Sequence, residues 1–219
     1  KYMRIYYSSP VTPVSIYDID LETLEKVLRK RDNVLGDFDA GNYKTERLFI
    51  QSRDKKDIPV TLMYRKDSFK KNNGNPMHQY GYGAYGITID PYFRSHALSL
   101  ADRGFVLAIA HVRGSEMLGR SWYFDGRQER KINSFHDFID VTKGLTDLGY
   151  ADPSKIFAAG GSAGGLLMAA VANIAPELYL GIASHVPFVD VVTTMETHLN
   201  LSLIHISEPT RPLYISYAV

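Results

Sequence analysis

Hydrophobic and polar residues alternate in short segments near the start of the chain, and this alternation predicts strands. Residues 2–8 are rich in Tyr and Ile, and residues 14–19 resume the pattern after two prolines interrupt it. Residues 21–29 fit either a helix or a strand–turn–strand, because their leucines suit both spacings. We therefore expect a three-stranded ribbon with one unburied face, as in a piece of a larger assembly of strands.

From residue 43 onwards the pattern changes to strands that alternate with helices. Residues 47–51 and 58–64 predict paired strands around a charged turn, and residues 77–80 predict a strand that enters a glycine-rich turn. Residues 105–112 are almost continuously apolar, which is typical of a strand covered on both faces.

The second half of the chain continues this alternation. Residues 134–148 carry apolar side chains at helical spacing, and Gly149 follows where a C-cap glycine belongs. The remaining predicted elements are helices at 94–103 and 162–174 and strands at 156–159 and 181–186. Strands and helices in this order predict an α/β fold with a mostly parallel sheet and helices on both faces.

Composition narrows the classes of function. The 219 residues are 45% hydrophobic and 22% charged, and the net charge of +1 predicts neither nucleic-acid nor membrane binding. The absence of cysteine excludes disulfides, thiolate catalysis and Cys-ligated zinc, and the sequence predicts no metal site and no cofactor. With no basic leader and no membrane-length apolar run, we expect a cytoplasmic protein; a periplasmic parent stays open because the chain starts at Lys1.

The strongest chemical signal is the G-x-S-x-G motif inside GGSAGG at residues 160–165. It lies between a predicted buried strand and an apolar helix, as a nucleophile elbow requires. Side chains two positions either side of the serine would collide with the backbone there, and Gly160 and Gly164 avoid that collision. We predict that Ser162 is the nucleophile and that the Ala163 amide donates to a developing oxyanion. The alternative is a glycine-rich turn with an incidental serine.

A second motif, GYGAYG at residues 81–86, matches the dinucleotide pattern G-x-G-x-x-G. That function requires a helix directly after the turn, so that pyrophosphate meets its N-terminus. Here residues 87–90 are β-like and Pro91 follows, so we reject dinucleotide binding. We interpret the turn as the loop that supplies the other oxyanion donor.

Four motifs together carry a family resemblance: YGYGAYG at 80–86, HVRG at 111–114, GGSAGG at 160–165 and VPFVDVVTTM at 186–195. In their order and spacing, residues 43–195 resemble the prolyl oligopeptidase family, and within it the oligopeptidase B type. The resemblance implies a partial α/β-hydrolase fold, preceded by a remnant of the last blade of a β-propeller.

The resemblance also implies a division of the chain. Residues 1–40 would be the propeller remnant and linker, and residues 41–199 the partial catalytic domain. Residues 200–219 resemble the translated read-through of a sequencing adaptor, and we predict that they are a non-native tail. A natural C-terminal extension is the alternative.

Site residues follow from the same resemblance. Ser162 would be the nucleophile, and the Tyr82 phenol would donate to the oxyanion beside the Ala163 amide. Asp90 would be the first of two acidic residues that bind basic side chains of the substrate, although Tyr92 stands where the second is expected. Tyr82 as a core aromatic and Asp90 as an ordinary loop residue are the alternatives. After the arginine-glycine pair of HVRG, Ser115 and Glu116 replace the expected glycines.

The implied function is a serine endopeptidase that cleaves short peptides after Arg or Lys through an acyl-enzyme. A serine nucleophile needs a histidine base and an orienting carboxylate, which follow it in that fold. We assign neither: His185 is interpreted as a core or wall residue, and His198 and His205 lie at or within the suspected tail.

We therefore expect the chain as given to be inactive. Two other hypotheses about the function stay open. The first is another α/β-hydrolase, such as an acyl-peptide hydrolase, a dipeptidyl peptidase or an esterase, and the second is a non-catalytic fragment. The sequence does not predict an oligomeric state.

Overall fold

The structure is a computed structural model that describes residues 1–72 and 74–190. The first forty residues form a separate antiparallel sheet in the order β1-β2-β3. Its strands are β1 Tyr2–Ser9, β2 Thr12–Asp20 and β3 Lys26–Arg31. This sheet confirms the predicted ribbon, and the strand–turn–strand interpretation of residues 21–29 is correct.

The ribbon leaves apolar side chains exposed, as predicted for so few strands. Tyr6 is 73% exposed and Leu24 74%. A three-stranded sheet has too little covering structure to bury both of its faces. Val11, from the turn between β1 and β2, packs against the next part of the chain.

The second sheet has six strands in the order β4-β5-β7-β6-β8-β9. They are β4 Tyr43–Gln51, β5 Asp57–Arg65, β6 Met77–Tyr80, β7 Val106–Ala110, β8 Ile156–Gly161 and β9 Gly181–His185. Strands β6 to β9 run parallel to one another, and β4 and β5 form an antiparallel hairpin at one edge. The mostly parallel sheet of the prediction is confirmed, with an antiparallel start.

Four α-helices cover this sheet in the described part of the chain: α1 Ser95–Ala101, α2 Arg120–Phe124, α3 Ile132–Asp147 and α4 Ala163–Ile174. The larger core lies on the face that carries α3 and α4. A smaller cluster, which includes Met63 of β5, lies beneath α1. Because Leu62 belongs to the larger core and Met63 to the smaller one, helices cover both faces, as predicted.

Strand β7 is buried less completely than its sequence predicts. Ala108 is buried on the face of α3 and α4, whereas Leu107 and Ile109 are only half-buried on the other face. Helix α1 has just seven residues and shields only part of that face. A cavity of about 410 Å³ remains there, with both half-buried side chains in its wall.

The predicted helix ends are mostly accurate. Gly149 has φ +76° directly after the Leu148 C-cap of α3, as a C-cap glycine should. Leu148, the last residue of the predicted segment 134–148, is 45% exposed and does not join the buried apolar face of α3. Helix α2 was not predicted, because five residues are too few to show a periodicity. Among the described helices, none combines the length and apolarity that a bilayer crossing needs.

Candidate active site

Ser162 occupies the turn between a parallel strand and the helix that follows it. Strand β8 ends at Gly161 and helix α4 begins at Ala163, so a single residue makes the turn. Ser162 has φ +56° and ψ −117°, a conformation that non-glycine residues rarely adopt. Such a residue costs of the order of 1–3 kcal/mol, and strain of this kind concentrates at functional sites. The predicted strand–turn–helix context of the motif is confirmed.

The backbone of Ser162 is fixed on both sides of the turn. Its N–H donates to the His185 carbonyl of β9 at 2.9 Å, and its carbonyl accepts the Gly165 N–H at 2.9 Å. The side chain is left exposed at the carboxyl edge of the sheet, where open α/β sheets bind ligands. The Ala163 N–H donates to no backbone carbonyl within residues 1–72 and 74–190, as expected at the first position of a helix.

The motif glycines have the steric role that the sequence predicted. A Cβ at Gly160 would lie 2.3 Å from the Gly164 carbonyl oxygen, and one at Gly164 would lie 2.7 Å from the Gly81 carbonyl oxygen. Both distances are far inside normal contact, so neither position can hold a side chain without movement of the backbone. Gly165 shares this restriction, which the sequence analysis missed, because its Cβ would lie 2.5 Å from Pro187 Cα.

The loop at residues 81–86, called the tyrosine loop below, packs directly against the nucleophile elbow at residues 160–165. The Gly81 N–H donates to the Ala159 carbonyl at 3.2 Å, and Tyr82 Cα and Cδ2 each lie 3.3 Å from where a Cβ would stand on Gly164. Gly164 belongs to the first turn of α4, so Tyr82 packs against that turn. Tyr82 itself is half-buried. The loop that carries Tyr82 therefore packs against the turn that carries Ser162. Donation by the Tyr82 phenol to an oxyanion stays a prediction.

A second loop, at residues 111–116, is hydrogen-bonded to the tyrosine loop. The Gly86 N–H donates to the Gly114 carbonyl at 3.0 Å, and the Glu116 N–H donates to the Gly86 carbonyl at 3.0 Å. Ser115 Oγ donates to the Val112 carbonyl at 2.9 Å. Of the two residues that stand in place of the glycine-rich version, Glu116 therefore bonds to the tyrosine loop, and Ser115 bonds within its own loop.

Arg113 anchors this second loop to α3. Its side chain is 3% exposed, and its guanidinium donates to both carboxylate oxygens of Asp137, with Nη2···Oδ1 at 2.6 Å and Nε···Oδ2 at 2.9 Å. Its Nη1 also donates to Asp54 Oδ2 at 2.6 Å, and this hydrogen bond lowers the pKa of Asp54 to about 2 despite the opposing effect of burial. The sequence analysis missed this network. The one feature of the sequence that could have indicated the network is Asp137, which lies among the apolar residues of the segment 134–148.

Asp90 lies on the surface after the tyrosine loop. Its Oδ2 accepts the Tyr92 hydroxyl at 3.1 Å, and its carbonyl accepts the Tyr92 N–H at 2.9 Å. The residue that replaces the second acid therefore donates to the first. Substrate binding by Asp90 stays a prediction.

Among residues 1–72 and 74–190, no histidine ring is hydrogen-bonded to the Ser162 hydroxyl. His185 is exposed at the end of β9 and lines the 410 Å³ cavity, so it is a wall residue and not a core residue. Neither Ser162 nor Tyr82 lines that cavity. His198 and His205 lie outside the described residues. Across residues 1–72 and 74–190, no three His, Asp or Glu side chains are grouped as metal ligands.

His111, in the HVRG motif, is buried and chemically unsuited to be a base. Its Nε2 lies 2.9 Å from Thr61 Oγ1 and 3.2 Å from Arg47 Nη1. Because a guanidinium can only donate, Nε2 accepts and the ring proton sits on Nδ1, which has no partner among the described residues. Burial, with the charge of Arg47, lowers the pKa of His111 to about 3.

This neutral histidine predicts a stability that weakens in acid. The pKa is 6.5 before folding and about 3 in the folded chain, so the unfolded chain binds more protons below pH 6.5. From pH 6.5 to pH 5, the free energy of unfolding should fall by about 2 kcal/mol through this group alone. Urea unfolding at pH 7 and pH 5 should show a smaller acid loss for His111→Gln. The exposed His96→Gln should keep the wild-type loss. An unchanged loss in His111→Gln would contradict the assignment.

A mostly parallel sheet with helices on both faces and a serine at a strained strand-to-helix turn defines an α/β hydrolase. The profile of the prolyl oligopeptidase family matches residues 91–212, more than half of the chain, and the chain belongs to that family. The match runs into the predicted tail at 200–219, which lies outside the described residues, and the non-native origin of that tail stays a prediction.

Curated relatives agree with this assignment. The chain is 51% identical over 195 residues to dipeptidyl aminopeptidase BI of Pseudoxanthomonas mexicana, covering 89% of this chain and 27% of that protein. It is 43% identical over 191 residues to protease 2 of Moraxella lacunata, covering 87% of this chain and 28% of that protein. The chain thus spans about a quarter of the length of these relatives.

Solved structures give the same result. Oligopeptidase B from Leishmania major matches with a TM-score of 0.82 and 42% identity, over 89% of this chain and 27% of that one. Oligopeptidase B from Trypanosoma brucei with covalently bound antipain matches equally well, with the same score, identity and shares of the two chains. The predicted resemblance to the oligopeptidase B type is confirmed.

Proposed function

We propose that this chain forms the nucleophile-bearing part of a serine peptidase that hydrolyses short peptides through an acyl-enzyme. The observation that carries the proposal is the strained, exposed Ser162 directly after β8, with Tyr82 packed against Gly164 two residues further on. The backbone turn projects the Ser162 hydroxyl away from the sheet, and a hydroxyl in that position can reach a substrate carbonyl.

The proposed reaction uses the geometry as follows. Ser162 Oγ attacks the scissile carbonyl carbon, its proton passes to a histidine base, and the amine leaves with that proton. Negative charge develops on the carbonyl oxygen, and the Ala163 N–H and the Tyr82 hydroxyl donate to it. Water then hydrolyses the acyl-enzyme by the same steps. No base and no orienting carboxylate are assigned in this chain, and we propose that the chain by itself is inactive.

For the substrate, we propose cleavage after Arg or Lys. The support is the 42% identity to two structures named oligopeptidase B, together with the exposed Asp90 near the tyrosine loop. A second candidate is removal of dipeptides from a free N-terminus. It is supported by the 51% identity to a protein named dipeptidyl aminopeptidase BI.

The test compares substrates on the protein that the complete gene encodes. N-terminally blocked fluorogenic peptides with Arg, Lys, Gln or Pro before the cleaved bond are paired with free dipeptide substrates that end in Arg. We expect kcat/KM for Arg and Lys to exceed that for Gln and Pro by on the order of 100-fold. The reason is that neutral Gln and Pro side chains cannot form the ion pair that Arg or Lys would form with a carboxylate of the pocket.

Three outcomes would contradict parts of the proposal. Cleavage of the free dipeptide substrates alone would favour the dipeptidyl aminopeptidase, and cleavage of esters alone would favour an esterase. Peptide cleavage or fluorophosphonate labelling by the isolated 219-residue chain would show that it needs no further triad residues.

A further inference from the structure

One face of α3 holds the tyrosine loop in place. Lys131, the N-cap of α3, donates from Nζ to the Gly83 carbonyl. Seven residues later, the Phe138 ring lies 2.8 Å from where a Cβ would stand on Gly81. Residues three, four or seven apart share a face of a helix, so these two side chains reach the loop together. They contact the residues immediately before and after Tyr82.

Lys131 is an unusual side chain to find at this position. It is 3% exposed, and lysine is almost never buried unless its ammonium group has partners. One of those partners is the carbonyl of Gly83, the residue that directly follows Tyr82. The desolvation of a buried ammonium group is costly. Lysine at this position therefore indicates a role that an apolar side chain could not fill.

The loop has little freedom around this contact. Gly83 has φ +72°, and a Cβ there would lie 2.7 Å from Val112 Cγ2 and 3.1 Å from the Arg113 carbonyl oxygen. Ser134, on the same face of α3, donates to that Arg113 carbonyl at 2.6 Å. Gly83, the residue after Tyr82, is therefore packed against the second loop, and the ammonium group of Lys131 holds its carbonyl.

We propose that Lys131 is the positioning residue that fixes the Tyr82 phenol for oxyanion binding. The inference rests on the proposed function. Lys131 does not touch the substrate, and it acts through the Gly83 carbonyl. A donor to an oxyanion is effective only when it is already in place, and a displacement of about 1 Å can cost about 100-fold in rate. Loss of the Lys131 contact should therefore lower kcat and leave substrate binding almost unchanged.

The experiment is a double-mutant cycle between Lys131→Met and Tyr82→Phe in the protein of the complete gene. Tyr82→Phe should lower kcat by about 100-fold, the usual cost of one oxyanion donor. Lys131→Met should lower kcat by about 10- to 100-fold, with KM within about twofold. In the Tyr82→Phe background, Lys131→Met should change kcat by less than about threefold, because the group that it positions is already absent.

A matched control is available on the same helix. Lys143 is exposed on α3, so Lys143→Met makes the same chemical change without touching the loop, and it should keep wild-type kcat. Thermal unfolding of each variant shows whether it is folded. If Lys131→Met does not fold, the cycle is repeated with Lys131→Gln. Because glutamine keeps a donor, its loss of kcat should be smaller than that of Lys131→Met, and this loss should again be absent in the Tyr82→Phe background.

The outcomes separate this inference from the proposed function. Equal loss of kcat from the Lys131 substitution in both backgrounds, or a Lys131→Met enzyme indistinguishable from Lys143→Met, would overturn the positioning role. In either case a complete loss of turnover in Ser162→Ala would leave the peptidase proposal intact. Retained turnover in Ser162→Ala would overturn both.

Discussion

Replacement of Ser162 with alanine is expected to reduce kcat of the protein from the complete gene by about 10⁴- to 10⁶-fold, with KM within a few-fold. The substitution removes the attacking oxygen and little else. Alanine keeps a Cβ, so the φ of +56° stays strained, and the N–H still donates to the His185 carbonyl. The loss should therefore fall on the chemical step and not on folding or on substrate binding.

The control and the readouts make this result specific. Ser99→Ala removes an exposed hydroxyl from α1, far along the chain from the elbow, and should leave kcat unchanged. Labelling by a fluorophosphonate should reach one group per active site in the wild type and should vanish only in Ser162→Ala. A Ser162→Ala protein that keeps more than about one hundredth of wild-type kcat would be incompatible with covalent catalysis at this residue.

Local patterns predicted the site better than they predicted its surroundings. The elbow was visible because its chemistry and its steric demand fall within six consecutive residues, at 160–165. One boundary was missed for an instructive reason. Gly160 and Gly161 were taken as part of the turn, yet they extend β8 and pair with Ser184 and His185 of β9. Glycine permits a turn but does not require one, and strand pairing decided between the two.

The support for the site could not be predicted, because it depends on residues far apart in the sequence. Asp54, Arg113 and Asp137 meet only after β7 has been inserted between β5 and β6. The hydrophobic pattern of a strand does not indicate its position in the sheet, because the same pattern suits several positions. The useful sign is a charged residue at a position that the pattern marks as buried. Asp137 is one such residue, whereas Lys131 lies before the predicted segment 134–148, so the pattern did not mark it as buried.

Gly160→Ala and Gly161→Ala should have very different effects, although both change a glycine of β8 in the same motif. A Cβ on residue 160 would lie 2.3 Å from the Gly164 carbonyl oxygen and 3.0 Å from that of Gly81. Both obstacles are backbone atoms, so relief requires movement of α4 or of the tyrosine loop. A Cβ on residue 161 would have its nearest neighbour, the His185 carbonyl oxygen, at 3.6 Å.

We expect Gly160→Ala to reduce the free energy of unfolding by about 3 kcal/mol, the upper range for overpacking a dense interior. It should also lower kcat by about 100-fold in whatever protein folds, because the Ser162 turn and Tyr82 are displaced relative to each other. Gly161→Ala should stay within about 1 kcal/mol of wild type and keep its activity, since the contact is ordinary and alanine favours a strand more than glycine does. Urea unfolding and steady-state kinetics on the two variants make the comparison. Equal effects at both positions would show that the elbow is not packed as the structure has it, and the steric reason for the motif would then fail.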